Sequence, residues 1–165
     1  MKLVTIGFLS SILLLAPRLM AQEFTVYLTR HAEKQTDQEN PSLTKCGISR
    51  AHQLAELLEL ANIKAVYSTP YNRTIETATP VANKLGLAVK QYSPKALDMF
   101  AVDLLKAKQN VLVVGHSNTT PVLASFLSGE EIKKISESQF RLLFQITINE
   151  DERTMTLLQQ PLICE

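Results

Sequence analysis

Val111-Leu112-Val113-Val114-Gly115-His116 is the stretch that decides the fold. Four branched apolar residues in a row, with no polar alternation, read as a strand covered on both faces, which is the habit of parallel strands in α/β proteins. The run ends at a glycine and a histidine. His116 therefore falls at the carboxyl end of a parallel strand, where open α/β sheets hold their ligands.

Working outward, a second strand runs from Val26 and delivers Arg30-His31, and it is followed by a polar loop at residues 35–42 containing Asn40-Pro41. Ile48, Ala51, Leu54, Ala55, Leu58 and Ala61 then recur at helical spacing, with Ser42 or Thr44 as the cap. Residues 63–67 form a short β-branched strand that ends in the turn Ser68-Thr69-Pro70. A second helix carries Ile75, Ala78, Ala82 and Leu85 on its apolar stripe and stops at Gly86, with Pro80 as a point of kinking or early termination. Residues 87–92 make a weaker strand, and 94–108 have helical spacing through Leu97, Ala101, Leu104 and Leu105. Beyond the 111–116 strand, 119–128 is a short helix stopped by Gly129. Residues 142–148 and 155–159 alternate on either side of a turn, as a hairpin does at a sheet edge. Strand and helix alternate throughout, so the expected fold is a three-layer α/β/α sandwich with a mainly parallel sheet and a C-terminal antiparallel hairpin.

At 165 residues with 45% apolar and 20% charged side chains, the chain is sized for one domain. Its first 21 residues have the three-part layout of a secretory signal peptide: Lys2, an apolar run from Leu3 to Ala16, and Leu19-Met20-Ala21 before Gln22. Pro17 and Arg18 interrupt that run too early for an anchor, which needs about 20 apolar residues. Residues 22–165 are then the expected single catalytic domain, periplasmic or secreted, with no stable membrane anchor after signal removal. The 17 basic residues less Lys2 and Arg18 leave 15 against 16 acidic, a net charge of −1. With that balance, no tryptophan and no basic run, nucleic acid is not an expected partner. In an oxidising compartment Cys46 and Cys164 can form a disulfide tying the C-terminus to the first helix.

Three strand ends now carry chemistry: Arg30-His31, the turn leading into Tyr71-Asn72-Arg73, and His116. If the strands are parallel neighbours, two arginines and two histidines converge on one edge of the sheet. Such a pocket fits a phosphoryl group. A guanidinium fork matches phosphate oxygens, and Arg73 would lie in the first turn of a helix, whose N-terminus also favours anions. One histidine can attack phosphorus as a neutral imidazole, and the other can hydrogen-bond the oxygens as charge shifts. A carboxyl group would then protonate the leaving oxygen and activate water. The candidates are Asp98, near a helix start, and Glu33, two residues past His31.

Leu28-Thr29-Arg30-His31-Ala32-Glu33-Lys34, Leu43-Thr44 with Gly47 and Arg50-Ala51, Ser68-Thr69-Pro70-Tyr71-Asn72-Arg73-Thr74 with Thr77-Ala78, and Val114-Gly115-His116-Ser117-Asn118-Thr119 together resemble the histidine phosphatase superfamily, the phosphoglycerate mutase-like proteins. The short chain, with no long insertion for a substrate lid, is similar to the compact branch that includes small bacterial phosphohistidine phosphatases. The resemblance implies His31 as nucleophile, a phosphate pocket completed by Arg30, Arg73 and His116, and no metal cofactor. Asn118, in the last motif, joins the phosphate-binding groups. The expected function is that of an exported phosphatase, hydrolysing a phosphomonoester or phosphoramidate through a phosphohistidine on His31. Its partner would be a small phosphorylated substrate or a phosphorylated surface component.

Three rivals remain in view. His31, His116 and a carboxylate have the donor types of a two-histidine, one-carboxylate metal site, although the arginines would repel a dication. A binding module could hold a phosphorylated ligand without turning it over. A serine hydrolase centred on Ser117 is the weakest, since Gly115-His116-Ser117-Asn118-Thr119 lacks the second glycine of a nucleophile elbow.

Overall fold

The computed structural model describes residues 23–36, 38–150 and 152–162. The expected signal peptide and Cys164 lie outside the described residues. Ten elements follow in order: β1 Phe24–Arg30, α1 Lys45–Leu58, β2 Ala65–Ser68, α2 Asn72–Lys84, β3 Val89–Gln91, α3 Leu97–Ala107, β4 Val111–Gly115, α4 Thr120–Ser128, β5 Leu142–Asn149 and β6 Glu152–Gln159. The strands form one sheet in the order β3-β2-β4-β1-β5-β6. β4 pairs parallel with both β1 and β2, and β3 extends the parallel part. β5 and β6 close the other side as an antiparallel hairpin.

The side-chain period of two assigns the layers. Val111 and Val113 of β4 point into a core shared with Leu97, Ala101 and Leu104 of α3 and Leu123, Ala124 and Leu127 of α4. Leu112 and Val114 point the opposite way, onto Leu54, Ala55 and Leu58 of α1 and Ala78, Val81 and Ala82 of α2. Two helices on each face make the three-layer sandwich, and the uninterrupted apolar run of β4 follows from it.

Some sequence expectations shift in detail. Ile48 is exposed, because the buried face of α1 runs through Gly47, Arg50, Ala51, Leu54, Ala55 and Leu58. One residue turns an α-helix by about 100°, enough to carry Ile48 off that face. Thr44, rather than Ser42, is the N-cap, and its Oγ1 accepts from the Gly47 N–H at 3.1 Å. Pro80 lies inside α2 without ending it.

Two glycines allow close approaches that bear on the site. A Cβ at Gly47 would lie 2.2 Å from the Glu33 carbonyl oxygen, so only glycine lets α1 begin against the segment leaving β1. A Cβ at Gly115 would lie 2.8 Å from the Tyr92 hydroxyl and 3.0 Å from Thr119 Oγ1. The end of β4 can therefore be enclosed on all sides just before His116.

Candidate active site

Parallel pairing brings Arg30, Ser68 and Gly115 to the same edge of the sheet. The His31 N–H continues the ladder by donating to the Gly115 carbonyl at 2.9 Å. The Ala32 N–H then donates to Thr77 Oγ1 at 2.9 Å, fastening the segment beyond β1 to α2. His31 is thus held at a strand end by the strand's neighbour and by a helix, which gives it little freedom.

Its ring is buried, and Nδ1 lies 2.7 Å from the Ala32 carbonyl oxygen. A carbonyl only accepts, so Nδ1 carries the proton and Nε2 keeps its lone pair. Burial, helped by the guanidinium charges of Arg30 and Arg73, lowers the imidazole to about 3. His31 is consequently a neutral imidazole at physiological pH, with the tautomer that leaves Nε2 free.

His116 stands beside it, the two ring centroids 5.6 Å apart and nearly edge-on. Its Nδ1 lies 3.4 Å from Arg73 Nη2, and its Nε2 lies 2.9 Å from Thr69 Oγ1. A guanidinium only donates, so Nδ1 accepts and Nε2–H donates to the threonine. Burial first, then Arg73 and Arg30, brings this imidazole down to about 4. Tyr71 covers the pair, its ring 5.2 Å from that of His116 and 4.7 Å from the Arg73 guanidinium carbon. Thr69 and Thr74 share a hydrogen bond at 2.9 Å, which ties the turn after β2 to the first turn of α2 and so aims Arg73.

His31, Tyr71, Arg73 and His116 line a cleft of about 540 Å³ together with Lys34, Pro94, Lys95, Ser117, Asn118, Thr119 and Glu137. His31, Arg73, and His116 with Asn118 meet there from three separate stretches of chain. Arg30 does not line the cleft. Its Nη1 donates to the carbonyls of Ser136 at 3.2 Å and Glu137 at 2.7 Å, its Nη2 donates to Glu137 Oε2 at 3.2 Å, and its guanidinium carbon lies 4.2 Å from the Phe140 ring centre.

The two carboxylates expected as the acid are placed elsewhere. Asp98 is exposed in the first turn of α3, outside the cleft. The Glu33 carboxylate turns away toward α1, where Arg50 Nε donates to its two oxygens at 3.1 and 2.8 Å and Nη2 donates at 2.5 Å. The carboxylate that does line the cleft is Glu137, from the segment between α4 and β5. Its Oε1 accepts from Ser117 Oγ, so the Ser117 hydroxyl is engaged as a donor. The Ser117 hydrogen bond above all, with the charge and hydrogen bond of Arg30, holds the Glu137 carboxyl below its ordinary range. Residues 130–139 carry no periodic or motif signal, so nothing in the sequence singled out Glu137.

Among the described residues, no group of three or more His, Cys, Asp or Glu is placed to hold a metal ion. No helix there is long and apolar enough to cross a membrane. Cys46, at the second position of α1, has no free thiol. The C-terminal segment docks beside it, with the Leu162 N–H donating to Gln53 Oε1 and Arg50 Nη1 donating to the Leu162 carbonyl, both at 3.0 Å.

A neutral histidine with a free Nε2, a second histidine and an arginine at one sheet edge are the groups that the resemblance to the histidine phosphatase superfamily leads us to expect. The model of that family, its branch 1, matches residues 26–94, from β1 to the approach to α3. Among solved structures, the chain is similar to the protein histidine phosphatase SixA complexed with tungstate, with a TM-score of 0.67, 19% identity, and 82% of this chain and 97% of that chain covered. It is also similar to a mycobacterial glucosyl-3-phosphoglycerate phosphatase, with a TM-score of 0.65 at 12% identity over 83% of this chain and 98% of that one. A phosphoserine phosphatase variant from Entamoeba histolytica in complex with phosphoserine gives a TM-score of 0.64 at 14% identity, covering 84% and 97%. No curated protein sequence matches the chain. The family match ends before His116, so the place of that residue rests on the fold and on the β1–β4 register. Family and fold together support a phosphatase.

Proposed function

We propose that this chain is an exported, metal-independent phosphatase that hydrolyses a phosphomonoester or phosphoramidate through a phosphohistidine on His31. The observation that carries this reading is the hydrogen bond from His31 Nδ1 to the Ala32 carbonyl. It sets the tautomer and directs the Nε2 lone pair at the cleft. There Nε2 attacks phosphorus, the bond from phosphorus to the leaving group breaks, and that electron pair departs with the leaving atom. Arg73 binds the phosphoryl oxygens with its fork. A dianion arriving beside His116 raises the pKa of that imidazole, so His116 takes up a proton and donates it as a hydrogen bond to the transferring group. Asn118 and Thr119 line the same cleft and offer further polar contacts. Water then cleaves the N–P bond, releasing phosphate and restoring His31. Periplasmic or secreted localisation is supported by the signal-like layout of residues 1–21.

Turnover of an aryl phosphate by the wild type and by His31→Ala, with and without a chelator, tests the reading. The expected result is wild-type turnover indifferent to chelation and none in the variant. Equal slow release by both proteins would leave only a phosphate-binding module. Activity restored solely by added divalent metal would point to metal-dependent hydrolysis.

A further inference from the structure

The sheet ends differently at its two edges. β3 is three residues long and carries the exposed Lys90, whose Nζ lies 5.8 Å from the Tyr67 ring centre. Shortness and a lysine are common means of keeping an edge from pairing. β6 has neither. It runs for eight residues, Glu152 to Gln159, with no lysine, proline or glycine among them, and it pairs with β5 at every position without a bulge. Its two charges, Glu152 and Arg153, occupy the first two positions. Arg153 is turned onto the end of α4, where Nη1 donates to the Leu127 carbonyl at 3.0 Å and the Phe126 carbonyl at 3.4 Å, so it does not guard the edge. Among the described residues, β5 alone supplies backbone hydrogen bonds to β6, and the outward-facing half of its N–H and C=O groups has no partner in the chain. Apolar side chains flank that open ladder on both faces. Met155 and Leu157 stand opposite Ile146 and Phe144, on the α3–α4 side, and Leu158 stands opposite Leu143, on the other. Leu157 is 52% exposed and Leu158 37%.

We propose that β6 is a homodimer interface, in which the β6 strands of two copies pair antiparallel about a two-fold axis and join two six-stranded sheets into one. The unpaired ladder asks for a strand, and a second copy brings one of equal length with the same open groups. A two-fold axis perpendicular to the sheet keeps the α4 side of both copies on one face. Met155 and Leu157 of the two copies then share that face, and Leu158 lies with Thr154 and Thr156 on the other. Antiparallel pairing sets the Glu152-Arg153 end of each copy beside the Leu158-Gln159 end of its partner, so like charges stay apart. A net charge of +1 on the whole chain leaves little repulsion between copies. Eight residues at about 3.3 Å each give a pairing about 26 Å long, short for a permanent interface, so the dimer should be reversible and form at micromolar concentration. Because the β3 edge is blunted, association stops at two copies. The cleft, at the ends of β1 and β4, is two strands away from β6 and stays open.

The test is sedimentation velocity on the purified protein across about 1 to 300 μM, a range that brackets a micromolar dissociation constant. The mean mass should double over that range and rise no further. Leu157→Lys and Leu157→Glu, each at an exposed position, should stay monomeric throughout at an unchanged melting temperature, and mixing the two in equal amounts should restore the dimer, because opposite charges then lie within reach across the pairing. Backbone amide exchange needs no variant: it should slow in β6 as the wild-type concentration rises. A monomer over the whole range would overturn the proposal, as would a dimer undiminished by Leu157→Lys, which would use another face, or growth beyond two copies. A monomer whose β6 amides exchange slowly at every concentration, and quickly once the residues before Glu23 are removed, would give the edge to the chain's own first segment and would overturn it equally.

Discussion

Two arginine–glutamate pairs flank His31, and they differ in which partner meets water. In Glu33–Arg50 both are withdrawn, with side-chain exposures of 17% and 3%, and the guanidinium closes on the carboxylate from Nε and Nη2. In Glu137–Arg30 the arginine is equally deep at 1%, but the carboxylate is 80% exposed and faces the cleft. A carboxylate enclosed by a fork is a strut joining β1 to α1. One held by a single guanidinium nitrogen and the Ser117 hydroxyl keeps acceptor positions open to the cleft. Closeness to His31 along the chain is therefore a poor guide: Glu33 is the near neighbour and the strut, whereas Glu137 arrives from another segment.

If the first pair is structural, Arg50→Ala should be the largest stability loss of this set, about 3 kcal/mol by chemical denaturation, because it leaves Glu33 withdrawn without its cation. Turnover per folded molecule should stay within about twofold of wild type, the change expected of a position outside the reacting groups. A large drop in kcat at unchanged stability would erase the contrast between the pairs. Glu33→Gln keeps the shape and part of the hydrogen bonding, so its expected loss is smaller, about 2 kcal/mol, again without a change in kcat.

The pH dependence sharpens the same comparison, because the folded cleft keeps His31 neutral. Its imidazole sits at about 3 in the folded chain, against an ordinary value of about 6.5. Between those values the unfolded chain binds a proton that the folded chain refuses, so stability falls as pH drops through this window. His31→Gln should flatten that slope in denaturation curves taken across it, with the residual slope contributed by His116. By the same shift, the acid limb of kcat/KM belonging to His31 lies near the lower value. A single-proton collapse near 6.5, lost in a variant at position 31, would contradict it. The smallest expected effect is at Asp98, exposed on α3: Asp98→Asn should alter stability by less than about 0.5 kcal/mol and leave kcat unchanged.

The scaffold was legible in the sequence because its signals are local and periodic. The apolar run of β4 called for cover on both faces, and helical stripes at 47–58, 74–82 and 97–104 provide it. The meeting of His31, Arg73 and His116 was legible because parallel strands end at one edge, so three strand ends sufficed to place them. The carboxylate lining the cleft was not. The tilt of Glu33 toward α1 depends on where Arg50 lands on a helix face, and a spacing pattern cannot show that a polar arginine is buried. Glu137 sits in a segment with no regular structure, brought to the cleft by the Arg30 guanidinium and the Ser117 hydroxyl rather than by any repeat. Arg30 leaves β1 on the side opposite His31, as adjacent residues of an extended strand do, and its guanidinium reaches residues 136–140, a placement that the Arg30-His31 pair in the sequence does not reveal.

The central claim is that His31 Nε2 becomes covalently phosphorylated. Its most direct test is mass analysis, under alkaline conditions, of peptides from protein quenched during turnover of an aryl phosphate. The account predicts a phosphoryl group on the peptide containing His31, at the imidazole, absent from His31→Ala together with turnover. Undiminished turnover by His31→Ala, or sustained turnover by the wild type with no phosphorylated His31 at any quench time, would contradict it.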